Sequence, residues 1–139
     1  MRIMRSIAAI VVGLGFMAAT VTVGTLVASA LIGGGEPADG RPLGTGATAY
    51  LYVNLVICGI GAILGGWLAA RIASFAPYGH AAVMAAIVAV LSMTTVTGAP
   101  APSHPGWYPS ALGLVAVLGV LLGGKLRAAA ASPAGPVVA

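Results

Sequence analysis

Charge is what this sequence has least of. Its 139 residues include 6 Lys or Arg and 2 Asp or Glu, so charged residues make up 6% of the chain, against roughly 25% in soluble domains. A soluble fold needs more charge to cover its surface, which excludes a soluble globular enzyme. A disordered chain is excluded as well, because disorder goes with low hydrophobicity and 60% of these residues are hydrophobic. Scattered basic residues form no basic face, so nucleic acid is not a partner. The single cysteine, Cys58, has no partner for an internal disulfide.

What is present is long apolar runs. Bilayer-spanning helices need about 20 mostly apolar residues, and four segments meet that length, at about 6–32, 48–70, 80–98 and 109–127. The fourth has the shortest apolar part. The predicted fold is all-α membrane: one four-transmembrane-helix bundle over 1–131, followed by a disordered Pro/Gly/Ala-rich tail at 132–139. The connections differ in chemistry. The first is Gly-rich and holds Pro37, Pro42, Glu36, Asp39 and Arg41, the second is a short turn with Pro77 and Gly79, and the third carries Pro100, Pro102, Pro105 and Pro109. A cleaved signal peptide with Ala28-Ser29-Ala30 as its site is the alternative for the first run. That run exceeds 20 residues, longer than the 7–15 of a signal-peptide core, so a retained helix is expected.

The few charges orient the bundle. With both termini cytoplasmic, Arg2, Arg5, Arg71, Lys125 and Arg127 anchor the inner face. Arg41 lies outside, beside both acids. Tyr50, Tyr52, Trp107 and Tyr108 then fall at the outer interface, and Trp67, Phe75 and Tyr78 at the inner one. The same inner anchors would attract anionic headgroups. The expected location is the inner (cytoplasmic) membrane of a bacterium, with the bilayer as the constant partner.

The chain also repeats itself. Gly61-Ala-Ile-Leu-Gly-Gly-Trp-Leu68 matches Gly119-Val-Leu-Leu-Gly-Gly-Lys-Leu126 at a spacing of 58, which also places Tyr50 on Tyr108. Ala19-Thr-Val-Thr22 matches Thr94-Thr-Val-Thr97 at a spacing of 75. The reading is two helical hairpins of the same orientation, a parallel repeat about an axis along the membrane normal. Lipid provides no hydrophobic drive between helices, so small residues must let backbones approach. Gly61 and Gly65, Gly119 and Gly123, and the row Ala81, Ala85 and Ala89 are the expected packing faces, with Gly24 and Ala28 on the first helix. They serve internal packing or self-association.

Hydroxyls gather in the outer half: Thr20, Thr22, Thr25 and Ser29 on the first helix, and Thr94, Thr95 and Thr97 on the third. Asn54 lies at similar depth on the second. They either bond between helices and back to their own carbonyls, or line an outward-opening polar pocket of Asn54, Thr22 and Thr95. The repeat places Leu112 where Asn54 would recur, so such a pocket is asymmetric. Apart from Lys125 and Arg127 at the end of the fourth, no Asp, Glu, Lys or Arg sits within a span, which argues against ion-coupled pumping by a single chain. His80 and His104 fall on opposite sides and have no spaced metal-ligand partners, so neither metal nor cofactor is expected.

The stretches Gly65-Gly66-Trp67-Leu68-Ala69-Ala70-Arg71-Ile72-Ala73, Pro105-Gly106-Trp107-Tyr108-Pro109 and Leu121-Leu122-Gly123-Gly124 resemble small uncharacterised four-span inner-membrane proteins of bacteria. That resemblance implies four spans and brings no activity, substrate or cofactor. The expected function is non-enzymatic: an accessory subunit or oligomeric scaffold, partnered by another membrane protein or by itself. The alternative is a small permease or channel for a neutral solute around Asn54. A third reading is an outer-facing enzyme built on His104 with Ser103, Asp39 and Glu36.

Overall fold

The computed structural model describes residues 2–32, 45–73, 76–97 and 105–131. Four helices carry the chain: α1 (Arg2–Ile32), α2 (Thr45–Ala73), α3 (Pro77–Thr97) and α4 (Tyr108–Ala131). Each is long and apolar enough to cross a membrane. The molecule is an all-α, multi-pass membrane protein built as a four-helix bundle. The expected tail at 132–139, the acids Glu36 and Asp39, and Arg41, Phe75, Ser103 and His104 lie outside the described residues, as do the side chains of Arg2 and Thr95.

Two helices run further than their apolar windows. α1 begins at Arg2 and spans 31 residues, about 46 Å at 1.5 Å per residue, longer than the roughly 30 Å hydrocarbon core. α4 passes through Lys125 and Arg127 to Ala131, giving 24 residues. The fourth helix, with the shortest apolar part, is thus longer than α3, which has 21 residues. Lys, Arg and Ala are strong helix formers, so charge ends the apolar run without ending the helix. Ala76 takes a positive φ of 45° and its carbonyl accepts from the His80 amide at 3.3 Å. Pro77 opens α3, where its missing N–H matters least.

Helix α2 is the hub. It packs along α1 and α4 and also touches α3, while α3 leans on α4; among the described residues α1 and α4 make no close approach. Glycine decides how near the axes come. A Cβ on Gly65 would stand 2.8 Å from the Gly13 carbonyl oxygen, and one on Gly61 would stand 3.0 Å from Val21 Cγ2, so both face α1. Gly66, next in sequence, faces the other way, and its Cβ would overlap the Val120 carbonyl oxygen of α4. Gly119 and Gly123 answer from α4, one against Ala62 and Gly59, the other against the Ile63 carbonyl. Gly124 turns to α3, where its Cβ would overlap that of Ala81. Each Gly-Gly pair thus serves two neighbours, because successive residues point about 100° apart on a helix.

The core behind these contacts is small-residue and thioether. Cys58, Ala62, Ala69, Ala81, Met84, Ala85, Val88, Ala116 and Val120 form one buried cluster. Ala81 and Ala85 belong to it, but Ala89 is half-buried and Val88 takes the inward place. An i, i+4 row drifts by about 40° per step, which carries the third alanine of the expected row off the packed face.

Candidate functional site

A second cluster sits where α1, α2 and α4 meet at the Tyr-rich end. Ala28, Tyr50, Leu51 and Tyr108 are buried together, with Val53, Leu55, Ile57 and Leu112 against them. The close fit begins at Gly24, whose Cβ would stand 2.5 Å from Ile57 Cγ2. Inside this cluster the Thr25 hydroxyl donates to Asn54 Oδ1 at 2.6 Å. The Asn54 amide nitrogen donates to the Tyr108 hydroxyl at 2.6 Å. Asn54 therefore uses both ends of its amide on other helices: the acceptor on α1, the donor on α4. In an apolar medium an unpartnered amide costs several kcal/mol, so placing the polar atoms of three helices at one depth ties the helices in register.

This is bonding between helices, the first of the two alternatives, and it differs from the pocket alternative. Thr25, not Thr22, meets Asn54, and Thr22 is exposed on the far side of α1. Three residues turn a helix by about 300°, so the two threonines diverge by about 60°, and that places one at the contact and one outside it. The other hydroxyls are mostly occupied within their own helices. Thr20 donates to the Phe16 carbonyl at 2.9 Å, Ser29 to Leu26 at 2.8 Å, Ser92 to Val88 at 2.8 Å and Thr94 to Leu91 at 2.7 Å. Among the described residues, no buried side-chain nitrogen or oxygen lacks a partner.

Aromatic rings close this end. Tyr52 stacks on Trp107 at 6.1 Å between centroids, and Trp107 meets Tyr108 edge-on at 5.8 Å. The Pro105 carbonyl accepts from the Tyr108 amide at 2.9 Å and so fixes the entry into α4. Tyr108 was legible in the sequence as an interfacial aromatic. Its hydroxyl contact with Asn54 was not, although the 54-residue separation lies close to the internal spacing of 58. Thr25 was among the hydroxyls read as bonding between helices, though not as the partner of Asn54, whereas Gly13, Gly66, Gly113 and Gly124 escaped sequence reasoning as contact residues. Only the doublets Gly65-Gly66 and Gly123-Gly124 carried any signal of a second packing face.

At the opposite end Arg71, exposed, lays its guanidinium 5.0 Å from the centre of the Trp67 ring. Arg5 and Lys125 are exposed and Arg127 is half-buried. His80 Nδ1 lies 3.0 Å from the Ala76 carbonyl oxygen.

Comparison of the chain with protein-family models, curated proteins and solved structures finds no match. The geometry therefore carries the functional reading unaided.

Asn54→Leu gives the first prediction. It removes two interhelical hydrogen bonds, each worth on average about 0.6 kcal/mol in a membrane protein. We expect a loss of about 1 kcal/mol in an SDS titration of the purified protein. A double-mutant cycle with Tyr108→Phe should return a coupling of about 0.6 kcal/mol. Additive losses would mean that the contact does not stabilise the bundle.

Proposed function

We propose that this chain acts through helix packing, as a non-enzymatic accessory subunit or self-associating scaffold in the inner membrane of a bacterium, with both termini cytoplasmic. The observation that carries the reading is Asn54. Its amide is committed to Thr25 and Tyr108, which leaves it as a clasp between helices rather than the lining of a solute path. The parallel-hairpin repeat belongs to the same reading. It is supported by α2 and α4 lying side by side in the same direction, with Gly59 near Val115, Ala62 near Gly119 and Ile63 near Gly123, all close to the spacing of 58.

The surface for association is α1. Most of the glycines in the helices have a neighbour where a Cβ would stand, but Gly15 has nothing within 4 Å. Ala8, Gly15 and Thr22 are exposed, and half-buried Ser29 continues the row at seven-residue intervals. Small residues at that spacing allow a second helix to approach closely. Gly61, Gly65, Gly119 and Gly123 already face helices of the same chain, so substituting them would damage the fold before any assembly.

Gly15→Leu separates the two effects. We expect wild-type chain in mild detergent to run as a self-complex or with a stoichiometric membrane partner, and Gly15→Leu to run as a folded, single chain, by light scattering after size exclusion. A wild-type chain that is monomeric and alone, or a complex indifferent to Gly15→Leu and Thr22→Leu, overturns the association reading.

A further inference from the structure

Arg71 is held in place, but not by an acid. Its guanidinium rests over Trp67 at 5.0 Å, and no Asp or Glu occurs among the described residues. The two acids, Glu36 and Asp39, fall in sequence between α1 and α2 and outside the described residues, whereas Arg71 is in the last turn of α2. The positive charge of the Arg71 end therefore has no counter-charge among the described residues.

The surface leading up to this end is apolar and two helices wide. Val56, Ile60 and Leu64 are exposed at four-residue intervals along α2, and Leu114, Leu118 and Leu122 likewise along α4. α2 and α4 are parallel neighbours, as the contacts of Gly59, Ala62 and Ile63 with α4 require. The row on α2 starts from Tyr52, the row on α4 starts two turns after Trp107 and on the same side of the helix, and those two rings stack on each other. Both rows therefore lie on one side of the pair. One turn beyond Leu64 comes Trp67 and then Arg71; one turn beyond Leu122 comes Lys125. The positions are level, because a Cβ on Gly123 would stand 2.8 Å from the Trp67 amide nitrogen.

We propose that this end of the α2–α4 face binds the headgroup of an anionic phospholipid, with Arg71 and Lys125 on the phosphate, Trp67 at the glycerol level and the acyl chains along the two aliphatic rows. The chemistry fits each part. A guanidinium offers a planar fork of donors that matches phosphate oxygens. An indole prefers the boundary between hydrocarbon and headgroup. Resting on Trp67 restricts the Arg71 side chain, so less conformational freedom is lost when a phosphate arrives. A zwitterionic lipid has the same chains and phosphate, but its own ammonium offsets the attraction. Net negative charge is the recognised feature.

The test uses the full chain in mild detergent, with phosphatidylglycerol or phosphatidylcholine added and bound lipid counted by native mass spectrometry. Wild-type protein is expected to hold phosphatidylglycerol in preference. Arg71→Gln and Lys125→Gln should each weaken it about fivefold, and the pair about thirtyfold, as roughly 1 kcal/mol per basic residue implies. Arg5→Gln, on α1, should change it less than twofold, and millimolar inorganic phosphate should not displace the lipid. Equal retention of phosphatidylcholine overturns the proposal. So does an unchanged double variant, an Arg5→Gln effect as large as that of Arg71→Gln, or displacement by phosphate alone. Each variant is first checked for protection of Cys58 from alkylation, and Arg71→Lys with partial retention serves where Arg71→Gln fails that check. The association of chains is scored separately, so this proposal and the packing reading stand or fall apart.

Discussion

Replacing Gly123 by leucine is expected to force α2 and α4 apart and open the bundle. A Cβ at that position would overlap the Ile63 carbonyl oxygen and stand 2.8 Å from the Trp67 amide nitrogen. Both are backbone atoms of α2, so no side-chain rotation relieves the overlap and the helices themselves must move. Overpacking a core costs about 1–3 kcal/mol and more when backbone must shift. In lipid the helices gain nothing hydrophobic from staying together, so lost contact translates directly into separation. We take about 3 kcal/mol, or roughly 150-fold in the open population. Cys58 reports it. It is the chain's one cysteine, 5% exposed, with its sulfur 4.0 Å from the Leu112 carbonyl oxygen on α4. Alkylation in mixed micelles should accelerate by about two orders of magnitude in Gly123→Leu, while Gly15→Leu labels as slowly as wild type. A rate within threefold of wild type for Gly123→Leu would show that the crossing does not depend on this glycine.

Truncating Met84 to alanine should produce the second largest loss. Met84 is fully buried and fills the space where α1, α2 and α3 converge. Its Sδ lies 3.1 Å from where a Gly13 Cβ would be, and its Cε 3.3 Å from that of Gly65. The two glycines bring α1 and α2 together, and the flexible thioether of α3 fills the remaining gap. In a soluble core such a truncation costs about 2–5 kcal/mol, part of it for transfer from water and part for the cavity. Within a bilayer the unfolded reference is itself apolar, which removes most of the transfer part. The cavity part, about 2 kcal/mol, corresponds to roughly thirtyfold faster Cys58 alkylation. Met84→Leu keeps the volume and should cost less than about 1.5 kcal/mol. An alanine variant as protected as wild type would mean that the three helices collapse onto the space.

Particular residues mark how far the sequence could be read. Gly61 and Gly65 stood out by their spacing, yet nothing in the spacing said that they face α1 while Gly119 and Gly123 face α2. Gly66 and Gly124 looked like the spare members of doublets; each turned out to face a second helix. Asn54 was conspicuous as an amide in an apolar run. Its partner on α1 depended on the rotation of that helix about its own axis, which selected Thr25 over Thr22. All candidate helix faces are apolar, so hydrophobic periodicity carries almost no directional signal in lipid.

Composition alone settled the class of molecule. So few charges over 139 residues allow only a chain whose surface is solvated by hydrocarbon, and uninterrupted apolar runs of spanning length allow only helices there, since each must satisfy its own backbone hydrogen bonds. Tertiary structure alone decided the pairing: α2 at the hub, glycine doublets split between neighbours, Asn54 clasped by Thr25 and Tyr108, and the aliphatic face of α2 and α4 ending at Arg71 and Lys125. The reason is physical. Insertion depends on how apolar each segment is, a sum over residues that any order within the segment nearly preserves. Packing depends on which few atoms meet when backbones come within contact distance, and that is a property of helix rotations and crossings, not of any one segment.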